Sequence, residues 1–170
     1  MDKEEFAQVV WDARETMYRI AKTLLRTDTD CEDAVSQAVV SAFEKLHTLK
    51  KPQYAKTWLI RIVMNECYRL GKQRKREQCY GDDVIYIADR VKEYEPLYRE
   101  EEYSELYEAL CGLPDVFRMA LVLYYVEQYS IKEIAQIQKV TVGTVKSRLS
   151  RGRKLLKEQL QDRKEQNKRA

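Results

Sequence analysis

The stretch Ser130-Ile-Lys-Glu133-Ile-Ala-Gln-Ile-Gln-Lys-Val-Thr141-Val-Gly-Thr-Val-Lys-Ser-Arg-Leu-Ser-Arg-Gly-Arg-Lys-Leu-Leu156 decides the fold of the second half of the chain. Ser130 stands three residues before Glu133, the spacing at which a hydroxyl and a carboxylate each satisfy an orphan amide at a helix start. A short helix follows, with Ile131, Ile134, Ala135 and Ile137 on one side. After a brief turn, Thr141 is placed to cap a longer helix whose inner face is Val145, Leu149, Gly152, Leu156 and Leu160. A short capped helix, a turn, and a longer helix that is apolar on one side and basic on the other is the sequence form of a helix-turn-helix. Lys146, Ser147, Ser150 and Arg151 fall away from the apolar stripe, where short and basic side chains reach base edges in a major groove. Arg148, Arg153 and Lys154 are better placed for phosphates. The same pattern also fits a basic helix that only closes a bundle, and pattern alone leaves both readings open.

Working back from this stretch, Phe117, Ala120, Leu121, Leu123, Tyr124 and Tyr125 give one more helix, and Tyr103, Leu106, Tyr107 and Leu110 give another before it. Gly112 and Pro114 separate the two, glycine just past a helix end and proline in a first turn. Residues 77–99 carry no sustained helical stripe beyond the short patch Val84-Ile85-Tyr86-Ile87, and they read as a linker. Further back lie three amphipathic helices. The first has Phe6, Val10, Ala13, Met17, Ile20 and Leu24 in steps of four and three. The second is expected to start at Thr29, three residues before Glu32, with the stripe Val35, Ala38, Val39, Ala42, Phe43 and Leu46. Lys51-Pro52 closes the connection, and the third helix carries Leu59, Ile62, Val63, Cys67 and Leu70. The expected fold is therefore all-α: a first helical bundle over residues 1–76, a linker over 77–99, and a second bundle over 100–170 that contains the helix-turn-helix and a basic tail.

Composition agrees with this. In 170 residues there are only 5 Gly and 3 Pro, too few for the frequent turns of an all-β chain. The mean hydropathy of −0.64 leaves no room for a membrane span, and the opening Met1-Asp-Lys-Glu-Glu lacks the basic and apolar blocks of an export signal, so a cytoplasmic protein without membrane insertion is expected. The cysteines Cys31, Cys67, Cys79 and Cys111 form no C-x-x-C and there is one histidine, His47, so no metal site, cofactor or disulfide framework is expected. That lone histidine and the scattered carboxylates assemble no catalytic constellation, which favours a binding protein over an enzyme. The net charge of +3 is an average. Arg69, Lys72, Arg74, Lys75 and Arg76 form one basic run, the linker and the helix after it are acidic, and the region from Lys146 onward is basic again. Two separated basic stripes suggest two contacts with a polyanion, although solvated helix faces would carry the same charges.

Beyond the pattern, the words of the sequence carry a resemblance. Leu113-Pro-Asp-Val-Phe-Arg-Met-Ala-Leu-Val-Leu-Tyr-Tyr-Val-Glu-Gln-Tyr-Ser-Ile-Lys-Glu-Ile-Ala135, with Thr141-Val-Gly-Thr-Val-Lys-Ser-Arg-Leu-Ser-Arg-Gly-Arg-Lys-Leu-Leu156, resembles region four of sigma factors of the extracytoplasmic-function class. Thr29-Asp-Thr-Asp-Cys-Glu-Asp-Ala-Val-Ser-Gln37 and Thr57-Trp-Leu-Ile-Arg-Ile-Val-Met-Asn65 resemble region two of the same family. The resemblance implies a non-enzymatic subunit that directs core RNA polymerase to specific promoters and helps to open them. It implies that Glu32, Asp33, Ser36, Gln37, Val40 and Glu44 meet the clamp helices of the polymerase β′ subunit. It also implies that Asn65, Arg69, Lys72 and Arg76 lie along DNA near the −10 element, and that Thr144, Lys146, Ser147, Arg148, Ser150 and Arg151 lie on the −35 element. The β flap and an anti-sigma factor are further implied partners, and the free protein is expected to be a monomer, unlike a conventional dimeric helix-turn-helix regulator.

Several positions depart from the family pattern. Ala38 stands where an acidic residue is usual, which points to a missing polymerase contact, and Arg69 stands where Asp or Asn is usual. Gln138 and Lys139 replace an apolar residue and a glycine in the turn of the helix-turn-helix, so a slightly strained turn is expected. Trp58 lies beside Leu59 in the apolar stripe and is expected in the core rather than stacked on a base. A linker of this length, at about 3.3–3.6 Å per residue, can span about two duplex turns, so two separated DNA contacts are geometrically allowed.

Overall fold

In the computed structural model, backbone is described for residues 1–79 and 101–169, and side chains for 1–74 and 105–165. The described residues are helical, with no strand among them, and the chain divides into two compact units. The first is centred on α1 (Lys3–Leu24), α2 (Asp28–Glu44) and α3 (Ala55–Cys79). The second is centred on α4 (Glu101–Cys111), α5 (Asp115–Leu121), α6 (Ile131–Gln138) and α7 (Val142–Arg169). No described helix is long and apolar enough to cross a membrane.

In the first unit all three helices pack on one another. Asp2 and Glu5 make a reciprocal capping box at the start of α1, which buries Phe6, Ala13, Met17, Ile20 and Ala21. The start of α2 differs from expectation: its cap is Thr27, whose hydroxyl accepts from Asp30 N at 3.1 Å, and Thr29 lies inside the first turn. Starting there lets Asp28 take both the Lys22 ammonium and the Tyr18 hydroxyl, and it turns Cys31 inward. The buried stripe shifts accordingly. Cys31, Ala34, Ala38 and Ala42 form it, while Val35 and Val39 are half-buried and Phe43 is 47% exposed. Small side chains on this face let α2 lie close against α1 and α3, and the larger ones are displaced to the flanks. Ala38 is fully buried, so its side chain belongs to the core and not to the outer face of α2. α3 is the central helix, buried on two sides by Leu59, Ile60, Val63, Met64 and Cys67, and it continues to Cys79, beyond the expected boundary at residue 76. Trp58 is half-buried on its flank.

In the second unit α7 packs along α5 and α4. Gly152 sits where this approach is tightest: a Cβ there would lie 3.2 Å from the Leu121 side chain. The expected helix through Tyr125 is not α-helical to its end. After Leu121 the chain widens into a π turn, Val122–Val126, in which Glu127 N bonds Val122 O at 3.0 Å and Tyr129 N bonds Leu123 O at 2.9 Å. The extra residue per turn carries Tyr125 out to 50% exposure, and Gln128 takes a left-handed backbone, φ 59°, to redirect the chain toward α6. Ser130 and Glu133 then form the expected capping box, and Lys139 ends α6 in the left-handed region at φ 51°, ψ 48°. Arg118 is buried, donating to Cys111 O at 2.9 Å and pairing with Asp115, which ties the start of α5 to the end of α4.

Candidate nucleic-acid interface

The two helices of the expected helix-turn-helix are α6 and α7. Burial of Ile134, Ala135 and Ile137 on α6, and of Val145, Leu149 and Gly152 on α7, fixes which face of each looks outward. Thr141 caps α7 as expected, its hydroxyl accepting from Thr144 N at 3.1 Å. The outward face then carries Lys146, Ser147, Ser150 and Arg151, all exposed, with Thr144 and Arg148 half-buried beside them. The structure thus gathers the six sequence-predicted residues in the first three turns of α7. Arg153 is less free than the sequence suggests, because its guanidinium donates to the Tyr125 hydroxyl at 3.2 Å. That contact spans the π turn and α7, and no local spacing announces it. Arg163, near the other end of α7, pairs with Glu108 of α4.

On the first unit, Asn65, Arg69 and Lys72 are exposed on α3. The Arg76 side chain lies outside the described residues. The basic run is partly neutralised within the protein: Arg69 Nε donates to Glu66 Oε2 at 2.7 Å, and Arg74 reaches Asp30 of α2 at 2.8 Å. Glu66 and Asp30 received no role from sequence. The i,i+3 spacing of Glu66 and Arg69 is a readable signal, whereas Asp30 and Arg74 are brought together only by the packing of α2 on α3. Tyr54 and Tyr68 are partly exposed at 41% and 39%.

Opposite the buried stripe of α2, Glu32, Asp33, Ser36, Gln37, Val40 and Glu44 are all exposed. Val40 stands out as an aliphatic side chain 51% exposed among polar neighbours. Among the described residues the thiols of Cys31 and Cys67 are buried and that of Cys111 partly so: burial pushes Cys31 and Cys67 up to about 12, and raises Cys111 as well, which keeps them unreactive. Trp11, which the apolar stripes pass over, is 63% exposed with the Arg14 guanidinium 4.5 Å from its ring centre.

A two-lobed helical protein with a capped, basic helix-turn-helix in its second lobe defines a class of DNA-binding protein, and similarity to known proteins narrows it. Residues 12–77 match the family of sigma-70 region 2, and residues 103–156 match sigma-70 region 4. The chain is 28% identical to the ECF RNA polymerase sigma factor SigW of Bacillus subtilis, covering 95% of this chain and 91% of that protein. It is 31% identical to SigM of Mycobacterium tuberculosis, over 89% of this chain and 75% of that one. Among solved structures, the sigma factor RpoE of Bartonella quintana, in complex with the anti-sigma factor NepR, aligns with a TM-score of 0.78 at 27% identity, over 93% of this chain and 98% of RpoE. The fold is also that of CnrH, in complex with the cytosolic domain of CnrY, with a TM-score of 0.70 at 22% identity. The chain belongs to the extracytoplasmic-function class of the sigma-70 family. Its function is promoter-specific initiation of transcription through RNA polymerase.

Proposed function

We propose that the three exposed faces divide this work. The outer face of α2, with Glu32, Asp33, Ser36, Gln37, Val40 and Glu44, docks on the β′ clamp helices of core polymerase. Asn65 and Lys72 of α3, with Arg76 further along, run beside DNA at the −10 element and hold the opened strand, where cations and stacking surfaces replace groove readout. On α7, Lys146, Ser147, Ser150 and Arg151 read base edges of the −35 element, and Thr144 and Arg148 hold its flanking phosphates. The work is binding and strand opening, with no covalent step of its own, and it takes place in the cytoplasm, where polymerase is. The free chain is a monomer, and its second unit also meets the β flap. An anti-sigma factor covers these surfaces in the resting state; RpoE bound to NepR supports that partner class.

The observation that carries the reading is the outward face of α7: every residue assigned to base edges is exposed, and the opposite face is closed by Val145, Leu149 and Gly152. Run-off transcription with core polymerase, followed by sequencing of the promoters used, tests it. Charge reversal at Lys146 and Arg151 is expected to abolish selection at the upstream element. Unchanged promoter choice in that variant contradicts the assignment.

A further inference from the structure

Arg69 stands off the line of its neighbours on α3. At about 100° per residue, Lys72 lies about 20° to one side of Asn65, while Arg69 lies about 40° to the other, on the flank of Glu66, buried Ile62 and Leu70. That flank meets α2. Asp33, Ser36, Gln37 and Val40 of α2 line a shallow groove together with Arg69 and Leu70 of α3. Glu66, its side chain only 15% exposed, takes the Arg69 Nε at 2.7 Å and steadies a guanidinium that is itself 57% exposed. The two terminal nitrogens, four N–H donors, have no acceptor among the described residues.

The electrostatics of the groove discriminate between occupants. Asp33 lines the groove and Glu66 is already bonded to the Arg69 Nε, so any anion that reaches the Arg69 fork, phosphate or carboxylate, meets nearby negative charge unless a cation comes with it. A protein surface can bring that cation: a carboxylate engages the Arg69 fork while a neighbouring cation faces Asp33 and an apolar side chain covers Val40 and Leu70, whereas a DNA backbone brings only phosphates. The groove is continuous with the outer face of α2. We infer that Arg69 is a docking residue for the polymerase surface that covers α2, taking a carboxylate of that surface rather than a base of the −10 element. This rests on the reading of α2 as the polymerase-binding helix, and it gives the departure at position 69 a role of its own.

The test uses the fluorescently labelled full chain and core polymerase, with dissociation constants measured for the parent, Arg69→Ala, Arg69→Lys and, as a control on α2, Val40→Arg. Arg69→Ala is expected to weaken core binding about tenfold, and Arg69→Lys, which keeps the charge but not the fork, by less. The base preference at the −10 element, read by sequencing initiated promoters, stays as in the parent. Thermal unfolding by circular dichroism confirms that each variant is folded. If Arg69→Ala binds core like the parent while Val40→Arg is weakened, the inference fails and the reading of α2 survives. Altered −10 preference with intact core binding in Arg69→Ala also overturns it. If neither variant weakens core binding, the reading of α2 fails and the inference with it.

Discussion

Lys22 is a charged side chain only 5% exposed, and it is tolerable there because Asp28 answers it from the first turn of α2. The Lys22 ammonium, and then the Tyr18 hydroxyl at 3.0 Å, hold the Asp28 carboxyl below the usual carboxylate range. Tyr18 in turn is pushed up to about 12 by loss of solvent and by its bond to Asp28. A carboxyl depressed by folding stabilises the fold above its unfolded pKa of about 3.9, and that contribution disappears as pH falls through the lower folded value. Asp28→Asn is therefore expected to lower the urea midpoint at pH 7, with the gap to the parent closing in acid below about pH 3.9. Two other residues test the local backbone and the core. Lys139→Gly relieves a left-handed backbone at φ 51° and is expected to stabilise by about 0.5–1 kcal/mol, less than the full relief because glycine loosens the unfolded chain. Ala38→Asp would restore the acid usual in the family but would bury a charge, and a loss of more than about 3 kcal/mol is expected in the same denaturation experiment. The strained turn at Lys139 was legible because glycine is the usual residue there. The fate of Ala38 was not, because an alanine reads equally well as a truncated contact and as a close-packing residue.

Among the elements, α6 and α7 were the most legible, since their capping residues and their apolar stripes point to the same boundaries. Ser130→Ala should remove the hydroxyl half of the capping box, leaving the Glu133 carboxylate on the backbone amide of residue 130, and cost about 1 kcal/mol, measurable by chemical denaturation. The start of α2 was ambiguous for a physical reason: Thr27 with Asp30, and Thr29 with Glu32, offer overlapping caps two residues apart. Tertiary partners, Lys22 and Tyr18 on α1, decide between them. The π turn after Leu121 was illegible, because its apolar residues continue the helical period and the widening appears only in the backbone bonds to Val122 and Leu123. On α7 the proposed division of labour separates two kinds of variant. Arg151→Ala is expected to weaken −35 binding by about 1–3 kcal/mol and to relax preference at one base pair. Lys154→Ala should weaken all sequences alike and reduce the slope of log affinity against log salt by about 1, as titrations at several ionic strengths would show.

At the scale of the whole molecule, the near-neutral net charge of +3 conceals an arrangement in which cations stand on separate units, some of them committed internally. Arg69 and Arg74 are held by Glu66 and Asp30, and Arg163 by Glu108, so the charge offered to DNA is smaller than a count of Lys and Arg suggests. Sequence order shows where basic residues lie but not which are already paired, since pairs such as Arg74 with Asp30 exist only once the bundle has formed. The central claim is that two separate faces, on α3 and α7, read two promoter elements while α2 holds polymerase. Transcription by core polymerase with this chain, on a library randomised at both elements and read by sequencing the transcripts, tests it most directly. The account predicts initiation dependent on the chain and enrichment at two elements, with charge reversal at Lys146 and Arg151 erasing only the upstream one. Initiation no greater than with core alone, or enrichment unchanged by that reversal, would contradict it.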